Sequence, residues 1–447
     1  MIRRRQKLAR HISNTSKKLP PTLAFLKGHI SLRAISDSSA EIAVIGAGIA
    51  GIATAYYLCT AHGRQGIVLI DPRQPMSYTS AQSGDNYRNW WPHPVMSALT
   101  NDSIDELDRL ARDTDNIFNM TRGGYVLASR ARTDDEDHIH GAAIAARYPW
   151  LGSEIQTVIH IPRGGDISGQ QLGTWMLERM RERGVTLLRG AVTAIAKDKR
   201  FALEIDRQHT LHAEQVINAA GPHANHIARL LGEALPVKNV FQQKVAFEDR
   251  LGAIPRDMPF SIDLDPKTLP WSDEERGLLE ADPDMKWLTD VMPGGTHCRP
   301  EGGRHGKWVK LGWAYNTQSS EPQDDLANEP ASDPQFPEIV MRGAAAFIPA
   351  LHAYVESPPT RYSHYGGYYT MTEENWPLVG PMQAGGAFMV AALSGFGSMS
   401  ACAAGKLCAA WVCNGELPDY AVALSTHRYQ DENLMAELRS ATSKGLL

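Results

Sequence analysis

The sequence predicts a mixed α/β fold, because short apolar runs, small-residue turns and helical patterns alternate along it. The stretch EIAVIGAGIAGIATAYYL at 41–58 is a short apolar run, a glycine-rich turn and then a helical pattern. A second short apolar run, IVLID, follows at 67–71. Strand, small-residue turn and helix recur at 212–232 and 386–412. Strands that alternate with helices are typical of α/β units.

The turn after the first strand has the spacing Gly46-x-Gly48-x-x-Gly51. Gly46 permits a tight turn, Gly48 lets the backbone approach a pyrophosphate, and Gly51 allows close packing of helix on strand. The helix N-terminus then favours the phosphates. The second strand ends in Asp71, 20 residues after Gly51, where a carboxylate is expected to accept ribose hydroxyls. These features in register predict a Rossmann-like dinucleotide site.

The remaining motifs favour FAD over NAD as the dinucleotide. The chain has no second GxGxxG, which an enzyme passing electrons from NAD(P)H to a flavin would usually need. The segment SYTSAQSGDNYR at 77–88 is suited to a second phosphate and a ring system. The helix that follows the glycine-rich turn near 395 can direct its N-terminal amides at an electron-rich group such as a flavin pyrimidine.

Composition excludes several other classes of protein. A net charge of −5 argues against a nucleic-acid binder. Five cysteines without a CxxC pair indicate a reducing compartment and no structural zinc, and no metal-ligand spacing is found elsewhere. No apolar run reaches the length of a membrane span.

The first 36 residues hold nine Lys or Arg and no acid. Three interpretations stay open: a mitochondrial transit peptide, a solvated basic tail, or a segment that contacts a membrane surface or a partner. We therefore expect a cytoplasmic protein, or a mitochondrial one if this segment is a transit peptide.

The motifs together resemble the FAD-dependent D-amino-acid oxidase, glycine oxidase and monomeric sarcosine oxidase family. The resemblance covers about 41–420 and rests on motifs that occur in the family's order. These are VIGAGIAGIATAYYL, LID, SYTSAQSGDNYR, VINAAGPHA, HCRPEGGRHGKWVKLGW, GYYTMTEENWPLVGP and MVAALSGFGSMS. It implies a discontinuous Rossmann-like FAD-binding domain, interleaved with a substrate domain built on a large antiparallel sheet. The alternating, Pro-rich stretches at about 235–365 agree with such a sheet.

The implied domain boundaries follow this division. We expect a basic extension at 1–40, an FAD-binding domain at 41–90, 155–235 and 365–425, a substrate domain at 91–154 and 236–364, and a C-terminal helix or tail at 426–447. The long acidic segment 250–295 resembles an insertion, and we expect it to act as a lid or an interface.

The resemblance also implies which residues contact FAD. The expected residues come from the two glycine-rich turns and the loops beside them: Gly46, Gly48, Ile49, Ala50, Gly51, Asp71, Pro72, Arg73, Ser80, Ala81, Ser83, Gly84, Val192, Ala220, Gly221, Gly367, Gly395, Phe396, Gly397, Ser398 and Met399. In the covalent branch of the family a cysteine occupies the position of Gly367, so we expect non-covalent FAD here.

Lys310 is the main catalytic candidate. The strand Lys310-Leu-Gly-Trp313 is similar to the family's Lys-apolar-Gly-aromatic strand, which implies a lysine over the flavin. Such a cation would stabilise negative charge on oxygen as it is reduced. An outward-facing strand lysine is the alternative.

Substrate recognition is expected to involve the stretch SGDNYRNWWPHPVM. A lysine that binds substrate carboxylate in sarcosine oxidases falls at Met399, so Arg88 is the candidate replacement cation. Pocket residues are expected to be Trp90, Trp91, His93, Tyr368 and Met399, with only one tryptophan facing the pocket because strand neighbours alternate.

The resemblance implies an oxidase of an amine or amino acid. A hydride equivalent would pass from the α C–H to flavin N5, the imine would leave, and O2 would give H2O2. Two alternatives stay open: a dehydrogenase that passes electrons to a quinone or protein, and a non-catalytic flavin-bearing assembly protein.

Overall fold

The computed structural model describes residues 38–133, 135, 137–324, 326 and 333–441 of the chain. Its strands, in chain order, are β1 (Ser38–Ile45), β2 (Ile67–Asp71), β3 (Asn86–Arg88), β4 (Tyr125–Ser129), β5 (Ile139–His140), β6 (Thr157–Ile161), β7 (Gly164–Asp166), β8 (Thr186–Arg189), β9 (Val192–Lys197), β10 (Phe201–Ile205), β11 (His209–Asn218), β12 (Lys238–Glu248), β13 (Phe260–Asp263), β14 (Thr296–Glu301), β15 (Trp308–Trp313), β16 (Tyr362–Met371), β17 (Leu378–Pro381) and β18 (Ala387–Ala391). Its α-helices are α1 (Ile49–Thr60), α2 (Pro94–Asp113), α3 (Ala142–Arg147), α4 (Gly169–Glu182), α5 (Ala224–Leu230), α6 (Asp273–Glu280), α7 (Phe336–Ala345), α8 (His352–Glu356), α9 (Gly397–Cys413) and α10 (Glu432–Ser440). The interpretations of residues 1–36 lie outside the described residues.

The first sheet contains the parallel unit that the sequence predicts. Its strand order is β17-β18-β11-β1-β2-β8, and β10 and β9 continue from β11. β1 pairs in parallel with β11 on one side and with β2 on the other. Ile42, Ala43 and Val44 are fully buried, which is the pattern of a central strand covered on both faces. The predicted strands near the first glycine turn are confirmed as β1 and β2.

Helices α1 and α9 pack closely against each other beside this sheet. Gly405 permits the approach, because a Cβ at that position would lie 2.7 Å from the carbonyl carbon of Ala53. Apolar residues surround both helices, and Ile52, Leu58 and Cys402 are fully buried. A helix that is apolar on all sides belongs in the interior of a large domain. The close contact fixes the N-termini of two helices that follow glycine-rich turns.

The second sheet has the strand order β16-β12-β15-β14-β13-β4-β6-β5. Its neighbours are antiparallel except for β13 and β4, which run parallel. The mixed α/β fold with a large, mainly antiparallel sheet is therefore confirmed. β6 and part of β16 pair in this sheet, although both lie in segments expected for the FAD-binding domain. The division into domains stays a prediction.

The two faces of the second sheet differ in character. Val245, Val309 and Leu311 join the apolar core that includes α7. Lys244 on β12 and Lys310 on β15 alternate with these residues and so lie on the opposite face. The register places Lys244 opposite Gly312 on β15, so the two lysines are diagonal neighbours on that face. The polar face is the one that borders the site described below.

The acidic segment 250–295 contributes to the second sheet and to its core. It supplies β13, which pairs with both β14 and β4 near the middle of the sheet. Leu269, Leu279 and Leu288 from this segment are buried in the apolar core. The segment is therefore built into the sheet, and its expected role as a lid or an interface stays a prediction.

All five cysteines are free thiols. Among the described residues, no group of three or more His, Cys, Asp or Glu side chains is placed to hold a metal ion. Within the same residues, no helix combines the length and the apolar character that crossing a membrane requires.

Candidate active site

The turn between β1 and α1 leaves room only for backbone. Gly46 has a φ of +111°, and a Cβ there would lie 2.3 Å from the carbonyl oxygen of Ala219. A Cβ on Gly48 would lie 3.1 Å from Ser80 Oγ. The amide of Ile49 donates to Ser80 Oγ at 3.0 Å. The first turn of α1 therefore lies beside the Ser80 hydroxyl, and the N-terminus of a helix is a site that suits a pyrophosphate.

Asp71 is held at the end of β2 by two backbone amides. Its carboxylate accepts from the N–H of Ala47 at 2.7 Å and from the N–H of Arg73 at 2.8 Å. The Arg73 guanidinium lies 4.3 Å from the centre of the Tyr78 ring and pairs with Asp324 at 2.6 Å. This arrangement places a carboxylate, a flat cation and an aromatic ring at one end of the cleft, where an adenosine group would fit.

A cleft of about 360 Å³ connects these features with the turn before α9. Most of the predicted cofactor residues line it: Gly46, Gly48, Ile49, Ala50, Asp71, Pro72, Arg73, Ser80, Ser83, Gly84, Val192, Ala220, Gly221, Gly367, Gly395, Gly397 and Ser398. Gly51, Ala81, Phe396 and Met399 do not line it. Gly51 serves packing instead, because a Cβ there would lie 2.0 Å from the carbonyl oxygen of Gly46.

The turn before α9 has an uncommon backbone. Ala392 and Ser394 both have positive φ, at +54° and +45°, and both line the cleft. Non-glycine residues seldom adopt this conformation, and it concentrates at functional sites. The turn leads directly into α9, whose N-terminal Gly397 and Ser398 face the cleft. The positive end of the helix dipole favours an electron-rich group there.

A network of hydroxyls fixes the loop 83–85 to this helix. Ser83 Oγ lies 2.7 Å from Ser398 Oγ, and the Asp85 amide donates to Ser83 Oγ at 3.0 Å. The Asp85 carboxylate accepts from the amide of Gly169 at 3.2 Å. Burial raises the pKa of Asp85, and the positive charge of Lys310 opposes that shift. These hydrogen bonds hold the loop 83–85 beside the turn before α9.

Lys310 lies on the polar face of the second sheet, with its side chain 12% exposed, and does not line the cleft. Its Nζ lies 2.9 Å from Glu301, which also pairs with Arg299 at 2.8 Å. Burial lowers the pKa of Lys310, as does the neighbouring Arg299 cation, while Glu301 acts in the opposite direction. Burial by itself would raise the pKa of Glu301, but the two cations hold it below its ordinary value. The lysine is inward-facing, as a catalytic role would require, but already has a counter-ion.

His297 lies opposite Gly312 on the same face of the sheet. Its Nδ1 lies 3.0 Å from the carbonyl oxygen of Gly295, to which the neutral ring donates. Burial lowers the pKa of His297 to about 3, and Lys244, Lys310 and Arg299 contribute to this shift. A Cβ on Gly312 would lie 2.2 Å from Nε2 of the ring, so the glycine makes room for it. His297 is a neutral imidazole within a positively charged cluster.

Lys244 lines the cleft and was missed by reasoning from sequence. It is only 5% exposed, and its Nζ donates to the carbonyl oxygen of Gln82 at 3.4 Å. Its Nζ also lies 5.4 Å from the centre of the Tyr369 ring. The available signal was a charged residue within FQQKVAF, a strand segment whose other residues are buried.

The stretch after the loop packs largely away from the cleft. Arg88 is buried, and its Nε donates to the Trp90 carbonyl oxygen. Its guanidinium lies 4.6 Å from the centre of the Trp91 ring and 5.5 Å from the centre of the Tyr125 ring. Burial lowers its pKa. His93 caps α2 by accepting from the Val95 amide at 3.2 Å. None of Arg88, Trp90, Trp91 and His93 lines the cleft.

The two tryptophans and Met399 do not line the cleft, and their role in a substrate pocket stays a prediction. Trp91 packs edge-on against Phe396, with ring centres 5.0 Å apart, inside the apolar core that surrounds helices α1 and α9. Trp90 is 36% exposed on the other side of the chain. Met399 is also buried in the core, one residue beyond the part of α9 that faces the cleft. Tyr368 alone of the predicted pocket residues lines the cleft, and its hydroxyl donates to the Glu321 carbonyl oxygen at 3.1 Å.

The fold and the cleft define a dinucleotide-binding protein of the mixed α/β class, with a second sheet that covers the site. A family model described as FAD dependent oxidoreductase (DAO) matches residues 41–411. The chain belongs to this family, which confirms the family resemblance, the enzyme class and FAD as the cofactor. The residues of the cleft fit FAD, because a glycine cradle at a helix N-terminus suits a pyrophosphate, the Asp71 carboxylate suits a ribose, and the N-terminus of α9 suits an electron-rich ring.

Similarity to individual proteins is low in sequence and extensive in length. Human mitochondrial dimethylglycine dehydrogenase is 22% identical over 419 residues, which are 87% of this chain and 44% of that protein. The rat protein is 23% identical, and the match covers 87% of this chain and 45% of that protein. The chain thus spans less than half the length of these curated relatives.

Solved structures share the fold over nearly their whole length. L-proline dehydrogenase from P. horikoshii has a TM-score of 0.69 at 18% identity, covering 89% of this chain and 99% of that one. Glycine oxidase from Geobacillus kaustophilus has a TM-score of 0.67 at 16% identity, covering 87% of this chain and 98% of that one. At these identities the similarity shows the fold alone.

Proposed function

We propose that this protein oxidises the carbon–nitrogen bond of a small amine or amino acid. The observation that supports this proposal is the meeting of the FAD cleft with the polar face of the second sheet. Lys244, Gly367 and Tyr369 border the cleft from that sheet, opposite the loop that carries Gly84. A substrate held between sheet and cofactor would be shielded from water on both sides.

Bound FAD supplies a two-electron acceptor for the hydride equivalent that leaves the carbon beside the nitrogen. The chain's own contribution is binding, orientation and electrostatics. Asp71 and the glycine turn would hold the adenosine and pyrophosphate groups, and Ser398 with the α9 N-terminus would hold the electron-rich end of the ring. Gly367 has no side chain that could form a thioether, so we propose that FAD is bound non-covalently.

The names of the relatives support a small amino acid as substrate. They include dimethylglycine dehydrogenase, L-proline dehydrogenase and glycine oxidase. Dimethylglycine is a tertiary amine, proline a secondary amine and glycine a primary amine. The names therefore agree on an amino acid but not on the number of carbon substituents on its nitrogen. His297 stays neutral near the cleft, because burial lowers its pKa to about 3, and so adds no positive charge to this cluster.

Oxygen is our proposed electron acceptor, with Lys310 stabilising the charge that develops on it. A dehydrogenase is the second candidate, and one observation favours it: the charge of Lys310 is already balanced by Glu301 at 2.9 Å. The relatives' names include both classes. A non-catalytic flavin protein is the third interpretation, and it predicts that no amine reduces the flavin.

The experiment is anaerobic reduction of the purified yellow protein with paired compounds that differ by a carboxylate. Suitable pairs are glycine and methylamine, N,N-dimethylglycine and trimethylamine, and proline and pyrrolidine. Bleaching of the flavin absorbance by at least one compound is expected. Failure of every compound, with FAD bound at full occupancy, would exclude the proposed oxidation of small amines.

Reoxidation separates the two electron acceptors. After anaerobic reduction, admission of air should restore the yellow colour and release peroxide if the protein is an oxidase. Lys310→Met should then slow reoxidation by about 100-fold while leaving anaerobic reduction nearly unchanged. Lys307→Met, an exposed lysine of the same segment, is the matched control. Reoxidation that is slow in air and fast with a quinone would identify a dehydrogenase.

A further inference from the structure

Lys244 is a buried cation without a counter-ion among the described residues. Its side chain reaches the cleft, where its Nζ meets the Gln82 carbonyl oxygen at 3.4 Å and the Tyr369 ring at 5.4 Å. The described carboxylates all lie beyond ion-pair distance of it, since none of the ion pairs in this part of the chain includes Lys244. A buried charge is costly unless it is paired and hydrogen-bonded.

The neighbouring cations differ from Lys244 in this respect. Lys310 and Arg299 both pair with Glu301, and Arg299 also pairs with Asp166 at 3.1 Å. These side chains therefore form a nearly balanced group of positive and negative charges. Lys244 lies beside this group and is the one that lines the cleft. Asp85 adds a further carboxyl beside Lys310 and Arg299. Among the described residues, Lys244 is thus the cation of this cluster that has no carboxylate within ion-pair distance.

The surroundings of Lys244 leave space for a ligand. Its cross-strand partners are Gly312 on one side and Tyr365 on the other. Gly84 faces it from the loop, and a Cβ on that glycine would lie 3.6 Å from Lys244 Cε. The pyrophosphate of FAD is expected at the β1–α1 turn, on the first sheet. A second molecule bound in the cleft can supply the anion that Lys244 lacks.

We propose that Lys244 binds the carboxylate of the substrate, so that the protein acts on amino acids in preference to simple amines. This inference rests on the proposed function. Arg88 cannot serve in this role, because it is buried between Trp91 and Tyr125 and does not line the cleft. Met399, which occupies the position of the sarcosine oxidases' lysine, carries no charge and lies in the core. Lys244 contacts the substrate and so determines its class.

The test uses the paired compounds described above and the FAD-loaded full chain. In the wild-type protein, every amino acid of the panel that reduces the flavin should do so at least about 30-fold more efficiently than its counterpart without the carboxylate, judged by the reduction rate constant divided by Kd. That ratio reflects a charge-assisted hydrogen bond in a dry site. Lys244→Met should bring the ratio close to one, whereas Lys238→Met, an exposed lysine on the same strand, should leave it unchanged.

A second readout does not depend on turnover. Acetate, which has the carboxylate but no amine, should perturb the flavin absorbance of the wild-type protein and bind at least about tenfold more weakly to Lys244→Met. If acetate binding depends on Lys244 but no amine reduces the flavin, the carboxylate site stands and the proposed function fails. If amines reduce the flavin with no preference for the carboxylate, the proposed function stands and this inference is overturned.

Loss of FAD from Lys244→Met would not leave the inference untested. The wild-type preference for carboxylates can be measured without any variant, and its absence overturns the proposal. Lys244→Arg keeps the positive charge and should retain most of the preference. An equal preference in Lys244→Met and in wild type, both with full FAD, would also overturn the proposal.

Discussion

Gly46→Ala should both destabilise the protein and weaken FAD binding, because Gly46 lies in the glycine turn at the end of β1. Gly46 has a φ of +111°, a conformation that alanine adopts only with strain. The new Cβ would lie 2.3 Å from the carbonyl oxygen of Ala219 and 2.7 Å from its carbonyl carbon. Both atoms belong to backbone, so no side chain can rotate away. The turn would have to move by about 1 Å to reach ordinary contact distance.

The free energy cost has two parts. The strained backbone conformation costs about 1–3 kcal/mol. The overlap with Ala219 adds about 1–3 kcal/mol, the usual cost of inserting a methyl group into packed surroundings. Gly184→Ala isolates the first part, since Gly184 has a φ of +80° and a Cβ there would meet nothing within 4 Å. Gly46→Ala should therefore lower the free energy of unfolding by about 1–3 kcal/mol more than Gly184→Ala does.

The assay is urea unfolding of both variants, combined with the FAD content of the purified proteins. Gly184→Ala should retain full FAD, because Gly184 does not line the cleft. Gly46→Ala should lose FAD, because the displaced turn can no longer approach the pyrophosphate. Equal stability of the two variants, together with full FAD in Gly46→Ala, would refute the reasoning about this turn.

Three further predictions concern residues outside the glycine turn. Arg428→Met should lower the free energy of unfolding by about 3–5 kcal/mol in urea titrations, because it leaves buried Glu374 without its partner. His297 stays neutral when folded, with a pKa of about 3, but takes up a proton below about pH 6.5 when unfolded. Stability should therefore fall by about 2 kcal/mol between about pH 7 and about pH 5, and less in His297→Gln. Trp91→Ala should cost about 3–5 kcal/mol of stability and Trp90→Ala less than about 0.5 kcal/mol, with unchanged KM for Trp90→Ala.

The parts of the fold that the sequence predicted correctly are those with local signals. The β1–α1–β2 unit is encoded within 41–71 by an apolar strand, glycines at fixed spacing, a helix and a terminal acid. The turn before α9 is similarly local. At the β1–α1 turn, Gly46 and Gly51 are required by backbone atoms close in space, so the residue pattern and the structure correspond directly. Most of the expected cofactor residues accordingly line the cleft.

The substrate side depended on long-range pairing, which the sequence does not display. Lys244 and Lys310 are 66 positions apart, and they share a face only because β12 and β15 pair with Ala246 opposite Lys310. The stretch NYRNWWPHP has residues typical of a binding site, but Tyr125 and Phe396 pack against its arginine and one tryptophan. Neither partner is near that stretch in sequence. Chemical type was therefore a poor guide to the direction of these side chains.

The charges of the polar face connect the question of substrate with that of electron acceptor. An incoming anion would be attracted to Lys244, whose charge is unbalanced, and less to Lys310, whose charge Glu301 offsets. If a substrate carboxylate neutralises Lys244, the cluster beside it loses one repulsive cation. Burial of the bound substrate also removes water, so the remaining Lys310–Glu301 pair acts in a lower dielectric. If Lys310 acts in an oxidase, Glu301 must leave part of the positive charge of Lys310 available to oxygen. Binding of a substrate carboxylate by Lys244 requires no such change.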